Sequence, residues 1–371
     1  MNQIDFPIPE LKEAVSSGIL DAMQDWVRVI DKEDRMLYIN KPMQQGLLAN
    51  PTGNKCYSIF GRTKACEICI CKQSALDGRS HKKEVDFGKR SYSVICSPVK
   101  NEQGEVYASL EVFRDITEIK NIQTKLTEKK TKLEKDLEMA KRLQNSILPR
   151  PFNNKHMVFS YVYMPSDGLG GDFLDVFNIQ GNRVGVYIAD VSGHGVSAAM
   201  LTMFLRSSLN RKQYSPSKAL EELYTSFKNT GFEMESYITV FYAIIDNENR
   251  TITYSNAGHS VSPVLMSENG FQMLRTPGIP ISNWVDEPNY KDVRIGIREG
   301  DRIFLSSDGI IEIKNDEGEY FGEERILAQL SNTNRRVEDV LERITAEAMD
   351  FADCISNGLK DDVTLCMIEF K

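Results

Sequence analysis

The sequence predicts an α+β protein in three successive parts: a small strand-rich unit, one long polar helix and a larger α/β sandwich. Three observations carry this reading. Alternating apolar strands flank a helical middle between Trp26 and Phe113. Glycine and proline then vanish from Ile116 to Leu148, where Lys, Glu, Leu and Gln dominate. Beyond that stretch, several apolar strands begin or end at an aspartate, most of them beside a glycine, with paired helical stretches between. The expected boundaries are a lead-in helix over 1–20, a sensor-like domain over 21–115, a linker helix over 116–150 and the sandwich over 151–371.

Composition narrows the function. The chain has 371 residues, room for two or three domains, with 41% hydrophobic and 26% charged residues. A net charge of -8 argues against a dedicated nucleic-acid or anionic-membrane surface. The longest apolar run, Tyr237 to Ile245, is far too short to span a bilayer, and Met1 to Glu10 has no signal-peptide pattern. The expectation is a cytoplasmic protein. Seven cysteines then point to thiols or a metal rather than a disulfide scaffold.

Leu11, Ala14, Val15 and Ile19 recur at helical spacing in the lead-in. Trp26 to Asp31 and Met36 to Asn40 form a hairpin pattern. Ser91 to Val99 and Val106 to Phe113 form a second one around Asn101–Gly104. This order of parts resembles a PAS sensor domain over roughly residues 11–118. Val29-Ile30-Asp31, Tyr38-Ile39-Asn40 and the closing Arg114-Asp115-Ile116-Thr117-Glu118 carry the resemblance. It implies ligand binding or dimerisation and names no ligand. Inside lies a cysteine group, Cys56, Cys66, Cys69 and Cys71, with Cys96 on a later strand. Three readings stand open: a metal or iron–sulfur group, a redox dithiol, and a loop with free thiols. His81 falls in a charged turn and reads as solvated.

In the linker, one heptad register puts Ile119, Leu126, Leu133, Ala140 and Ile147 at d, and Ile116, Gln123, Lys130, Leu137 and Gln144 at a. A sustained d seam with polar a positions reads as a marginal two-stranded coiled coil, hence a homodimer able to change register. Pro149 and Pro151 end it.

The sandwich opens with the strand Phe159-Ser160-Tyr161-Val162-Tyr163, then Gly170-Gly171-Asp172 leading into another strand. Val184-Gly185-Val186-Tyr187-Ile188 runs into Asp190-Val191-Ser192-Gly193-His194-Gly195. The helix after Gly195 is rich in small and apolar residues and is expected to be buried. Arg302 to Ser306 leads into Ser307-Asp308-Gly309, and Asp361-Asp362 leads into a last strand. Each acid alone is an ordinary cap or turn residue. Gathered together they would repel each other unless divalent cations neutralised them, and oxygen-only ligation suits Mg²⁺ or Mn²⁺. Two such ions can hold a water for in-line attack on phosphorus without a Ser, Cys or His nucleophile.

These segments resemble the SpoIIE/RsbU-type branch of the metal-dependent serine/threonine protein phosphatases, the PPM family. The match runs through Leu143-Gln144-Asn145-Ser146-Ile147-Leu148-Pro149, Gly170 to Asp175, Ala189 to Gly195, Asn256-Ala257-Gly258-His259, Ser307-Asp308-Gly309 and Asp361-Asp362-Val363-Thr364. The resemblance implies two Mn²⁺ or Mg²⁺ ions held by Asp172, Asp190, the Val191 carbonyl, Asp308 and Asp361, with Asp175 and Asp362 as adjacent acids. No catalytic group beyond the metal-bound water is implied. His194 and His259 read as structural. It further implies dephosphorylation of a phosphoserine or phosphothreonine protein, commonly a STAS-domain anti-anti-sigma factor in a partner-switching circuit. The PAS domain would control this through the helix. A rival from another class is a non-catalytic PAS-dimer scaffold; loss of the acids would favour it, and all are present. A small-molecule phosphohydrolase is a further rival. Ser307 and Ser282 depart from the family's usual Thr and Gly.

Overall fold

A computed structural model describes residues 18–371 except 102, 167, 285, 332–334 and 353–358. Most of the expected lead-in helix lies outside the described residues. The chain divides into two compact units, 1–133 and 134–371. Among the described residues, no helix is long and apolar enough to cross a membrane.

Among its described residues, the first unit holds a five-stranded antiparallel sheet and short helices. Its strands are β1 (Trp26–Asp31), β2 (Met36–Ile39), β3 (His81–Phe87), β4 (Arg90–Lys100) and β5 (Val106–Asp115), in spatial order β2-β1-β5-β4-β3. Helices α1 (Lys41–Leu47) and α2 (Ile70–Asp77) lie between β2 and β3 in the chain. Asn40 starts α1: its side-chain oxygen accepts from Met43 N (3.2 Å) and Val27 N (3.0 Å), and Pro42 follows in the first turn. Ile30, Met36, Met43, Ile70, Val94 and Phe113 build the core. Each such residue, fully buried, contributes roughly 1.5–3 kcal/mol. His81 is not in a turn; it opens β3 and pairs with Asp77 at 2.8 Å.

The 31-residue helix α3 (Thr117–Ile147) follows. Asp115 accepts the Thr117 N–H at 2.9 Å and helps to start it. The d residues Ile119, Leu126 and Leu133 are exposed, at 53%, 65% and 68%, so the single chain leaves that part of the stripe bare.

The second unit is a helix–sheet–sheet–helix sandwich. Its strands are β6 (Phe152–Asn153), β7 (Met157–Met164), β8 (Phe173–Ile179), β9 (Arg183–Val191), β10 (Tyr237–Asp246), β11 (Thr251–Ala257), β12 (Val264–Ser267), β13 (Gly270–Met273), β14 (Ile281–Ser282), β15 (Val293–Gly296), β16 (Arg302–Ser306) and β17 (Val363–Phe370). One sheet runs β15-β11-β10-β9-β8, with β14 beside β10; the other runs β13-β12-β16-β17-β7-β6. Alternate residues explain why β9 and β10 read as unbroken apolar runs. Val186, Ile188, Phe241 and Ala243 face the other sheet, meeting Phe159, Leu305 and Ile368. Tyr187, Ala189, Val240 and Tyr242 pack under α4 (Gly195–Ser208) and α5 (Pro216–Lys228). Helices α6 (Gly322–Leu330) and α7 (Val337–Phe351) cover the second sheet. The expectation that α4 is buried holds for one face only. Ala198, Leu201 and Leu205 are covered, whereas Val196 and Met200 stand 60% and 64% exposed.

Candidate metal centre

Four strand ends supply the acids. Asp172 immediately precedes β8, Asp190 is the penultimate residue of β9, Asp308 follows β16, and Asp361 and Asp362 lead into β17. Two glycines permit the approach. A Cβ on Gly309 would stand 2.0 Å from the Asp362 carbonyl oxygen, so the turn carrying Asp308 closes onto the Asp361–Asp362 segment only with glycine there. A Cβ on Gly171 would lie 3.1 Å from the Val191 carbonyl, so the loop before Asp172 sits directly against that oxygen.

Asp172 is buried, and its Oδ2 has no hydrogen-bond partner among the described residues. Burial and the charge of Asp190 push its carboxyl well above the ordinary carboxylate range. Asp190 is half-buried and pushed up to about 7, first by burial and then by Asp308, Asp361 and Asp362. Asp361 is raised by burial and by Asp308 and Asp362, although its Oδ1 accepts the Asp362 N–H at 2.8 Å. Asp308 accepts from Ser260 Oγ at 3.0 Å. The four acids therefore share one electrostatic field, though their oxygens are not drawn into a tight trio within 4.8 Å among the described residues. An orphaned buried carboxylate oxygen and mutually raised acids fit a site for hard divalent cations.

The two adjacent acids do other work. Asp362 straps the preceding loop: Oδ1 accepts from Ser166 N (2.7 Å) and Ser166 Oγ (2.9 Å), Oδ2 from Gly171 N (2.5 Å) and Asp172 N (3.3 Å). It positions Asp172. Asp175 is buried on the helix-facing side of β8, paired with Arg211 and, at 3.6 Å, Arg206. Its charge is already answered by these two guanidiniums.

His259 is buried and hydrogen-bonded through Nε2 to the Ser306 carbonyl at 3.0 Å, and burial lowers its pKa. His194 is exposed at the start of α4. Ser307 ties β16 to β17: its N–H donates to Thr364 O (2.9 Å) and its Oγ accepts from Thr364 N (3.0 Å).

One residue near the acids was misassigned by sequence reasoning. Gln144, expected as a polar seam position, is buried and grips the loop before Asp172. Its Nε2 donates to Gly170 O (2.8 Å) and Thr202 Oγ1 (3.4 Å), and its Oε1 accepts from Gly170 N (3.1 Å). Its presence in the Leu143–Pro149 motif was the available signal.

In the first unit, Cys56, Cys66, Cys69 and Cys71 line one cavity of about 290 Å³. They do not converge as a set. Cys66 Sγ accepts from Arg62 at 3.4 Å, and burial raises the Cys56 thiol to about 11.

Comparison with known proteins follows this division. Residues 20–121 match the profile of the PAS fold. Residues 180–371 match that of Stage II sporulation protein E (SpoIIE). Phosphoserine phosphatase RsbP of Bacillus subtilis is 30% identical over 191 residues, 49% of this chain and 47% of that protein. Phosphoserine phosphatase RsbU of the same organism is 25% identical over 191 residues, 50% of this chain and 56% of that protein. The chain thus spans about half the length of these curated relatives. The SiaA-PP2C domain of Pseudomonas aeruginosa superposes with a TM-score of 0.56 at 20% identity, covering 65% of this chain and 98% of that one. That likeness fixes the fold of the second unit as the PP2C sandwich. With over half its length matched by the family profile, the chain belongs to the SpoIIE family, and a PAS fold precedes the matched region.

Proposed function

We propose that the chain is a divalent-cation-dependent phosphatase acting on phosphoserine or phosphothreonine in a partner protein. The observation that carries this is the crowding of Asp172, Asp190, Asp308 and Asp361 with, among the described residues, no basic partner and one buried oxygen of Asp172 left unbonded. Mg²⁺ or Mn²⁺ bound there would neutralise phosphate charge and supply an activated water. Asp172, Asp190, Asp308, Asp361 and the Val191 carbonyl are the assigned ligands. Asp362 and Gln144 act through others: they hold the Ser166–Asp172 loop so that Asp172 faces Asp190. Ser260 orients Asp308.

A protein substrate fits better than a small molecule. Val196 and Met200 expose an apolar face on the helix that starts five residues beyond Asp190, a surface that a folded partner could cover. The phosphoserine phosphatase names of RsbP and RsbU support the same reading. The candidate substrate class is the phosphorylated STAS-domain protein of a partner-switching circuit. The bare stripe of Ile119, Leu126 and Leu133 supports pairing of α3 with a second copy, and through it control of the phosphatase by the PAS domain.

The test is Mn²⁺-dependent phosphate release from serine-phosphorylated STAS proteins. Wild type is expected to turn over, with activity removed by chelator and by Asp190→Asn. Equal rates for wild type and Asp190→Asn, or turnover of small phosphomonoesters alone, would count against the proposal.

A further inference from the structure

The buried row across the first sheet carries a second site. Strand register sets Arg28 of β1 opposite Glu111 of β5, Glu111 opposite Cys96 of β4, and Cys96 opposite His81 of β3. Directly opposed residues share a face, so all four line up under α2. Arg28, Glu111 and Cys96 are 4%, 2% and 0% exposed. From above, Cys71 in the first turn of α2 reaches this row. Its Sγ, Cys96 Sγ and a Glu111 carboxylate oxygen all lie within 4.8 Å of one another. Cys69, two residues earlier at the start of α2, lines the cavity of about 290 Å³ beside it.

Arg28 and Glu111 answer each other, and Arg28 Nη1 also donates to the Cys56 carbonyl at 2.9 Å. Burying a carboxylate and a guanidinium costs several kcal/mol per ion unless the surroundings repay it. Two thiols next to them add weak donors and nothing that an aliphatic pair would not pack better. A thiophilic cation changes the balance. Tetrahedral Zn²⁺ with Zn–S distances of about 2.3 Å needs sulfurs roughly 3.7 Å apart, and the Cys71 and Cys96 sulfurs lie within 4.8 Å of each other. Three thiolates and one carboxylate around a dication leave an excess of negative charge, and the Arg28 guanidinium, paired with Glu111, offsets part of it.

We infer that Cys69, Cys71, Cys96 and Glu111 hold one thiophilic divalent cation of the zinc class in the floor of the PAS cavity, with Arg28 as the charge-balancing neighbour. Cys56 and Cys66 line the cavity without binding the ion. This site stands independently of the phosphatase reading.

The experiment uses the full chain, purified without added metal and then with Zn²⁺ or Cd²⁺. About one ion per chain is expected to survive desalting. Cd²⁺ is expected to give thiolate charge-transfer absorption in the near ultraviolet. Cys71→Ser and Cys96→Ser should each lower retained metal at least tenfold, while Cys56→Ser and Cys66→Ser keep it. As a readout on the unaltered chain, bound Zn²⁺ should protect Cys69 and Cys71 from alkylation, with chelator restoring their labelling and Cys66 labelling equally in both states. No retained metal and no protection would overturn the assignment. So would iron in an inorganic-sulfide cluster, a Cys71–Cys96 disulfide in the metal-free chain as isolated, or full metal retention in Cys71→Ser.

Discussion

The two ends of the β8–β9–β10 sheet treat the same side chain in opposite ways. At one end, Asp246 closes β10. Burial opposes its charge, yet the Asn249 amides and the Arg183 guanidinium hold its carboxyl down to about 2. At the other end, Asp190 is surrounded by Asp308, Asp361 and Asp362, and sits near 7. At β8 the contrast repeats: Asp175 is answered by Arg211 and Arg206, while Asp172, just before the strand, has an oxygen unbonded among the described residues. In the sandwich, Asp246 and Asp175 have guanidiniums beside them, whereas Asp172 and Asp190 have other acids. Acids of one chemical type are thus sorted into roles by their partners, not by their burial.

Removing a proposed ligand should break the contrast most. Asp308→Asn and Asp361→Asn are expected to lower cation-dependent phosphate release on the order of 10²–10³-fold, the scale of losing one group that stabilises transition-state charge. Asp246→Asn should leave that rate unchanged; steady-state kinetics on all three variants distinguishes them. Next comes the strap. Asp362→Ala releases the Ser166, Gly171 and Asp172 amides and should cost about 3 kcal/mol in denaturant unfolding, with activity falling alongside. Gln144→Ala frees both backbone groups of Gly170 and should cost about 1–2 kcal/mol. It should also raise the Mn²⁺ concentration needed for half-maximal rate, because the loop carrying Asp172 loosens. The smallest effect belongs to Asp246→Asn, about 1 kcal/mol at neutral pH. An acid with a depressed folded-state pKa contributes fully above its ordinary value of 3.8 and loses that contribution as pH falls toward about 2. The gap between wild type and Asp246→Asn should therefore stay constant from pH 5 to 8 and shrink below pH 4 in unfolding titrations.

Much of this was legible in the chain itself, for identifiable reasons. Asp190 and Asp308 announce themselves because an apolar strand, an acid and a glycine follow one another locally, and Gly309 is required by the closeness of Asp362 O. Asp172 carries the same local mark. Gln144 did not, because its partners are the backbone groups of Gly170, 26 residues on, and its helical spacing mimics a seam. Asp175 read as an adjacent acid because Arg206 and Arg211, which neutralise it, approach only once α4 folds over the sheet. The exposed face of α4 escaped notice since Val196 and Met200 look like core residues in a run of apolar neighbours. In the PAS fold, the cysteines drew attention by their spacing. Glu111 was invisible, being one polar residue in an alternating strand until register sets it beside Cys96.

The central claim is that the acid end of the sheet is completed by divalent cations. Calorimetric titration of Mn²⁺ into wild type, Asp172→Asn, Asp190→Asn and Asp246→Asn tests it most directly, with Zn²⁺ saturating any thiol site beforehand. The expected result is saturable binding in wild type and Asp246→Asn, lost or weakened at least tenfold in the other two. Identical isotherms for all four proteins would contradict it.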